Sequence, residues 1–154
     1  MRRLSEVYPE LGHGGHDREA HLKDPVVYEV FEWQTGLAAT DLLCAVTVLF
    51  GTVDQERPLR TRGHFHKDPD GGELVIGLMG RGRLDLLSRQ GEIRQLPVEP
   101  GTWAQVPPGW AHRVTNVDSD PMAFLSSCSA AVGHDYEGVP KGSWVGQLRG
   151  REET

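Results

Sequence analysis

Apolar residues along this chain come in short runs, mostly alternating with polar ones, and the breaks between runs carry glycine, proline, aspartate or asparagine. Period-two alternation is the signature of a half-buried strand, and such breaks are turn chemistry. Strands are therefore predicted over 26–32, 73–79, 84–87, 93–98, 103–106, 111–117, 122–129 and 144–148. The continuous apolar run 42–50 reads as a strand packed on both faces. Residues 35–40, Gly80-Arg81-Gly82, Arg89-Gln90-Gly91-Glu92, Pro107-Pro108-Gly109, Asp118-Ser119-Asp120-Pro121 and 133–142 supply turns or loops. About nine short strands without an amphipathic helix of useful length predict an all-β fold, an antiparallel sandwich or barrel. Leu74, Ile76 and Leu78 share the strand face opposite Glu73 and call for a covering partner, which makes a homodimer the expectation.

Length and charge narrow this picture. A chain of 154 residues suits one domain with its own core. The first 25 residues, mixed and polar around Gly12-His13-Gly14-Gly15-His16 and His21, read as an N-terminal arm, and 26–150 as the domain. A net charge of -6 excludes the basic footprint of a nucleic-acid or membrane-surface protein. Cys44 and Cys128 lie inside apolar runs without zinc-site spacing and read as buried thiols rather than a disulfide. Met1-Arg2-Arg3-Leu4 leads into polar sequence, and no apolar segment has membrane-spanning length, so a cytoplasmic location is expected.

The chemistry concentrates at a few positions. In an extended strand His64 and His66 point the same way, and a turn through Asp68-Pro69-Asp70-Gly71-Gly72 returns Glu73 beside them. His112 follows the Pro-Pro-Gly turn at the start of another strand and offers a fourth donor. Three imidazoles and a carboxylate suit a divalent ion such as iron, manganese, nickel, cobalt or zinc, with coordination positions left for substrate or water.

Gly63, His64, His66, Glu73 and Gly80, followed by Gly101, Pro107, Gly109, His112 and Asn116, resemble the two motifs of the cupins. More narrowly, Thr61-Arg62-Gly63-His64-Phe65-His66, the stretch from Pro107 to Asn116, Gly133-His134-Asp135-Tyr136 and Val27-Tyr28-Glu29-Val30 resemble the cupin-type glucose-6-phosphate isomerases known mainly from archaea. That resemblance implies a single-domain cupin, a small antiparallel jelly-roll barrel, with His64, His66, Glu73 and His112 binding one divalent metal. Fe2+ is the ion it implies first, with Mn2+, Ni2+ or Zn2+ as alternatives. It implies further that Thr47, Thr61 and Gly63 cradle a sugar phosphate and that His134 and Tyr136 lie by the substrate. The implied reaction, an intramolecular oxidoreduction of glycolysis and gluconeogenesis, interconverts glucose 6-phosphate and fructose 6-phosphate. Either Glu73 moves a proton through an enediol or hydride shifts directly, and His134 is the candidate for proton exchange at the sugar hydroxyls or for ring opening. The family usually has tyrosines where this chain has Val75 and Cys128, which makes the mouth more apolar. Two other classes therefore stay open: a metal cupin acting on a more apolar substrate, such as an iron-dependent oxygenase or a polyketide-type cyclase, and a cupin that only binds a small ligand.

Overall fold

A computed structural model describes residues 1–7, 25–34, 41–51 and 58–144. Among these are eleven strands and one helical turn. β1 (Arg2–Arg3), α1 (Leu4–Val7), β2 (Val26–Gln34) and β3 (Leu42–Leu49) come first. β4 (Phe65–His66), β5 (Glu73–Met79), β6 (Gly82–Leu87), β7 (Ile93–Val98) and β8 (Trp103–Val106) follow. β9 (Ala111–Asn116), β10 (Met122–Ser129) and β11 (His134–Asp135) complete the set. Every predicted strand from 26 to 129 is present, with ends shifted by up to two residues. Trp144 lies in a turn, and the rest of the strand predicted over 144–148 falls outside the described residues, as do the turn at 35–40 and His13, His16 and His21.

All strand pairings are antiparallel. One sheet runs β1-β2-β3-β10-β5-β8, a second runs β7-β6-β9, and β4 pairs with β11. The larger sheets face each other as two layers: Leu49, Val75, Val106, Met122 and Phe124 from one meet Leu84, Leu86, Val98 and Val114 from the other in a single apolar core. The layers are held in register by chemistry at the turns. Gly80 turns β5 into β6 with φ +69°, a conformation that side-chain-bearing residues rarely adopt. Gly109, at φ +76°, does the same in the Pro-Pro-Gly turn that aims β9 at the site. The segment expected as an arm begins inside the fold. β1 pairs with β2, and Val7 is buried in the core; residues 8–24 lie outside the described residues.

The outer face of the three-stranded sheet is covered as well. Phe65, Leu87 and Ala111 form a second apolar cluster, with Val139 and Trp144 packed on it. Beside it Asp85, only 1% exposed, accepts hydrogen bonds from Arg113 Nε at 3.0 Å and Thr115 Oγ1 at 2.9 Å. Arg113 in turn lies under the Trp144 ring, 4.3 Å from its centroid.

Candidate metal centre and cavity

Alternation along β4 sends Phe65 to the outer cluster and places His66 and its neighbour His64 on the inner face. An isolated bridge joins His64 to His112, so β9 and the 64–66 segment run side by side. Glu73 opens β5, paired with Cys128 on one side and Val106 on the other. These three strands bring one donor atom from each of His64, His66, Glu73 and His112 within 4.8 Å of one another.

The second contacts orient the rings. His66 Nδ1 donates to the Gly71 carbonyl at 2.8 Å and His64 Nδ1 to the Arg62 carbonyl at 3.3 Å, which leaves both Nε2 atoms facing inward. Glu73 Oε2 lies 3.2 Å from His66 Nε2 and 3.0 Å from His112 Nε2. Buried polar atoms normally find partners, yet His64 Nε2 and His112 Nδ1 have none among the described residues. An inward Nε2 lone pair on His64, beside two further imidazoles and a carboxylate, fits a divalent ion.

Electrostatics support the same reading. Burial, reinforced by His112 and His134, drives the His64 pKa down to about 2, so the ring is a neutral donor at any ordinary pH. Burial works to raise the Glu73 pKa, but the charges and hydrogen bonds of His112 and His66 outweigh it and hold the carboxyl well below its usual range. At His66 burial opposes protonation, and hydrogen bonds to Glu73 and Gly71 overcome it, raising the pKa.

A cavity of about 350 Å³ opens over the donor set. The paired rows of the large sheet line it in order. Glu73 and Cys128 form the row at the donor set; Glu32, Ala45, Ser126 and Val75 form the next; Val30, Thr47 and Phe124 form the third. Four residues of β3 separate the first and third rows, about 13 Å of strand. Thr61 and Arg62 line the wall on the opposite side, with His134 and Tyr136 from the segment after β10. The His134 and His64 ring centroids are 4.5 Å apart, and Arg62 rests on the Tyr136 ring at 4.3 Å.

The structure thus brings eight of the nine expected positions around the cavity or its floor, namely His64, His66, Glu73, His112, His134, Thr47, Thr61 and Tyr136, and leaves Gly63 beside it. Gly63 differs in its surroundings. A Cβ there would meet the Trp144 ring at 2.9 Å, so its missing side chain makes room for the outer cluster, and it is not a lining residue of the cavity. Arg2, Glu32 and Ser126 line the cavity and were not anticipated. Inward parity with Tyr28 and Val30 marked Glu32; nothing in the sequence marked Arg2.

The family model described as glucose-6-phosphate isomerase matches residues 13–146. The chain belongs to that family. A glucose-6-phosphate isomerase of Thermococcus kodakarensis is 39% identical over 90% of this chain and 74% of its own length. One from Pyrococcus horikoshii is 45% identical over 74% of this chain and 60% of its own length. Among solved structures, oxalate oxidase superposes with TM-score 0.57 at 18% identity, covering 72% of this chain and 55% of that one. Oxalate decarboxylase gives 0.56 at 18% identity, over 69% and 27%. These likenesses establish the cupin fold of this glucose-6-phosphate isomerase family member and carry nothing about its reaction.

Proposed function

We propose that the cavity binds a sugar 6-phosphate and interconverts glucose 6-phosphate and fructose 6-phosphate. The observation that carries this reading is the cavity's polarity: a His/Glu donor set at one end, the Thr47 hydroxyl two rows along the sheet from it, and Thr61 and Arg62 on the facing wall. A ligand with two chemically different ends fits that arrangement. Thr61 Oγ1 accepts the Val114 N–H at 3.0 Å, so its own proton is free to donate to a phosphate oxygen.

His64, His66, Glu73 and His112 would hold the divalent ion, Fe2+ first among the candidates and Mn2+, Ni2+ or Zn2+ after it. Such an ion, when bound, supplies Lewis acidity at the carbonyl and hydroxyl oxygens of C1 and C2. Glu73, held well below its usual pKa and turned toward two imidazoles, is a weak base. That supports a direct hydride transfer from C2 to C1, balanced by a proton leaving the C2 hydroxyl and arriving at the C1 oxygen. His134 is placed to handle the proton. Burial lowers its pKa below 6.5, so a neutral ring lines the cavity near neutral pH and can accept and return a hydroxyl proton.

The homodimer belongs to this reading. Across the outer face of the large sheet Phe31, Val46, Leu125, Ile76 and Trp103 stand in one row over five strands, with Phe31 60% and Trp103 71% exposed. An isologous contact between two copies covers such a self-complementary band. A cytoplasmic enzyme agrees with the absence, among the described residues, of a helix long and apolar enough to cross a membrane.

The test is a coupled assay for conversion of fructose 6-phosphate to glucose 6-phosphate, on protein stripped of metal and reloaded with Fe2+, Mn2+, Ni2+ or Zn2+ in turn. Metal-dependent turnover is expected. Tight metal binding without turnover would overturn the isomerase reading in favour of a more apolar substrate, for which Val75, Phe124 and Cys128 provide the wall.

A further inference from the structure

We propose that Arg2, carried by the N-terminal strand β1, is a phosphate-binding residue that closes the cavity at the end away from the metal centre. This rests on the sugar-phosphate reading above and goes beyond it by adding a residue from outside the core cupin strands.

The placement comes from register. Arg2 stands opposite Tyr28, which is itself on the inner face of the large sheet, and both line the cavity with Thr47, Thr61 and Arg62. β1 is anchored there on both sides. The Arg3 N–H donates to Glu6 at 2.8 Å, and Val7 is buried in the core three residues after the start of α1. The Tyr28 phenol marks the meeting point, since the charges of Arg2 and Arg62 both act on it and the Arg62 backbone bonds it.

Charge gives the reason. A sugar phosphate carries nearly two negative charges near neutral pH. Threonine hydroxyls are neutral donors, and Arg62 already has its guanidinium on the face of Tyr136. At the middle and inner rows of the cavity wall Val75 offers no hydroxyl and Cys128 only a thiol. Among the described residues that line the cavity, the other guanidinium is Arg2. Its ion pair with Glu6 is loose, 3.7 Å between half-exposed side chains. Such a contact is worth little, so turning the planar fork of Arg2 onto a phosphate costs little and gains charge-assisted bonds. In a chain with a net charge of -6, two arginines at one end of the cavity also set the field that draws an anion to that end.

The experiment uses metal-loaded enzyme and compares Arg2→Gln, Arg2→Lys and Glu6→Gln, reading kcat and KM for fructose 6-phosphate and the inhibition constant of inorganic phosphate. Arg2→Gln is expected to raise KM and the phosphate inhibition constant together by about tenfold, with the change carried by KM rather than kcat. Arg2→Lys should recover part of that loss, and Glu6→Gln, which frees Arg2, should not raise either constant. Unchanged KM and phosphate inhibition in Arg2→Gln would overturn the role of Arg2 and leave the isomerase reading standing. An equal rise in Glu6→Gln would also overturn it, because the effect would then come from the docking of β1. Wild-type enzyme that turns over sugar but ignores inorganic phosphate would overturn the phosphate site as a whole.

Discussion

Replacing Asp85 with alanine provides a quantitative test of how the barrel wall behind the metal centre is held. Asp85 is 1% exposed and accepts bonds from four side chains: Arg113, Thr115, Arg83 and Gln95. Arg83 and Gln95 reach solvent and can turn to water. Arg113 and Thr115 cannot, being 5% and 2% exposed. Asp85→Ala therefore removes a buried carboxylate to which Arg113 and Thr115 both bond, a change that costs about 3–5 kcal/mol. For a domain of this size each kcal/mol moves Tm by about 2–4 °C, so a fall of roughly 10 °C is expected in thermal or urea unfolding of the metal-free protein. The diagnostic is the double variant. Asp85→Ala with Arg113→Met removes both members of the Asp85–Arg113 pair, and its cost should be smaller than the two single costs added, because each single change already breaks that bond. A cost below about 1 kcal/mol for Asp85→Ala, or a double variant as unstable as the two single changes added, would refute the reasoning.

Three further outcomes follow from the same structure. His112→Ala removes a donor that faces Glu73 at 3.0 Å and should weaken metal binding by at least about 100-fold in a metal titration; full occupancy in that variant would show that His112 is not a ligand. Burial beside Glu73 pushes the Cys128 thiol up to about 12, so at pH 8 only about one molecule in ten thousand carries the thiolate. Iodoacetamide should accordingly modify Cys128 about a thousandfold more slowly than a free cysteine, and comparable labelling by mass spectrometry would contradict this. The sign of the linkage is that the unfolded thiol loses its proton near pH 8.5 while the folded one keeps it, so Cys128 lowers stability as pH rises above that value. Trp103→Glu places a charge at the β8 end of the exposed apolar band and should shift sedimentation from dimer to monomer while leaving Tm of the monomer nearly unchanged; a wild-type monomer would refute the dimer.

The sheet was readable from sequence wherever strands were long enough to alternate. β2, β5 and β10 each turn one face to the core, and burial enforces a register that a one-residue slip would destroy; β3, expected to pack on both faces, also buries only one, that of Ala45, Thr47 and Leu49. The short strands were a different matter. β1 is two arginines, too short a strand to show an alternation; its place depends on Val7 finding the core, a tertiary event. Asp85 was hidden for a related reason. In an alternating strand it reads as a solvent-facing residue, and its burial depends on Arg113, Thr115 and the roof that Trp144 places over the second cluster.

The clustering of the four candidate ligands was legible because its geometry is mostly local. His64 and His66 share a face by the period of a strand, Glu73 returns by one turn, and the Pro-Pro-Gly turn leaves Gly109 where only a positive φ delivers His112. Gly63 shows where local reasoning stops. The resemblance gives its backbone a part in cradling a phosphate, and packing gives a separate reason for the missing side chain: a Cβ there would lie 2.9 Å from the Trp144 ring. Trp144 also caps Arg113, the neighbour of His112. The glycine therefore lets one tryptophan, some eighty positions away and connected by no motif, press against both strands that carry the candidate ligand histidines.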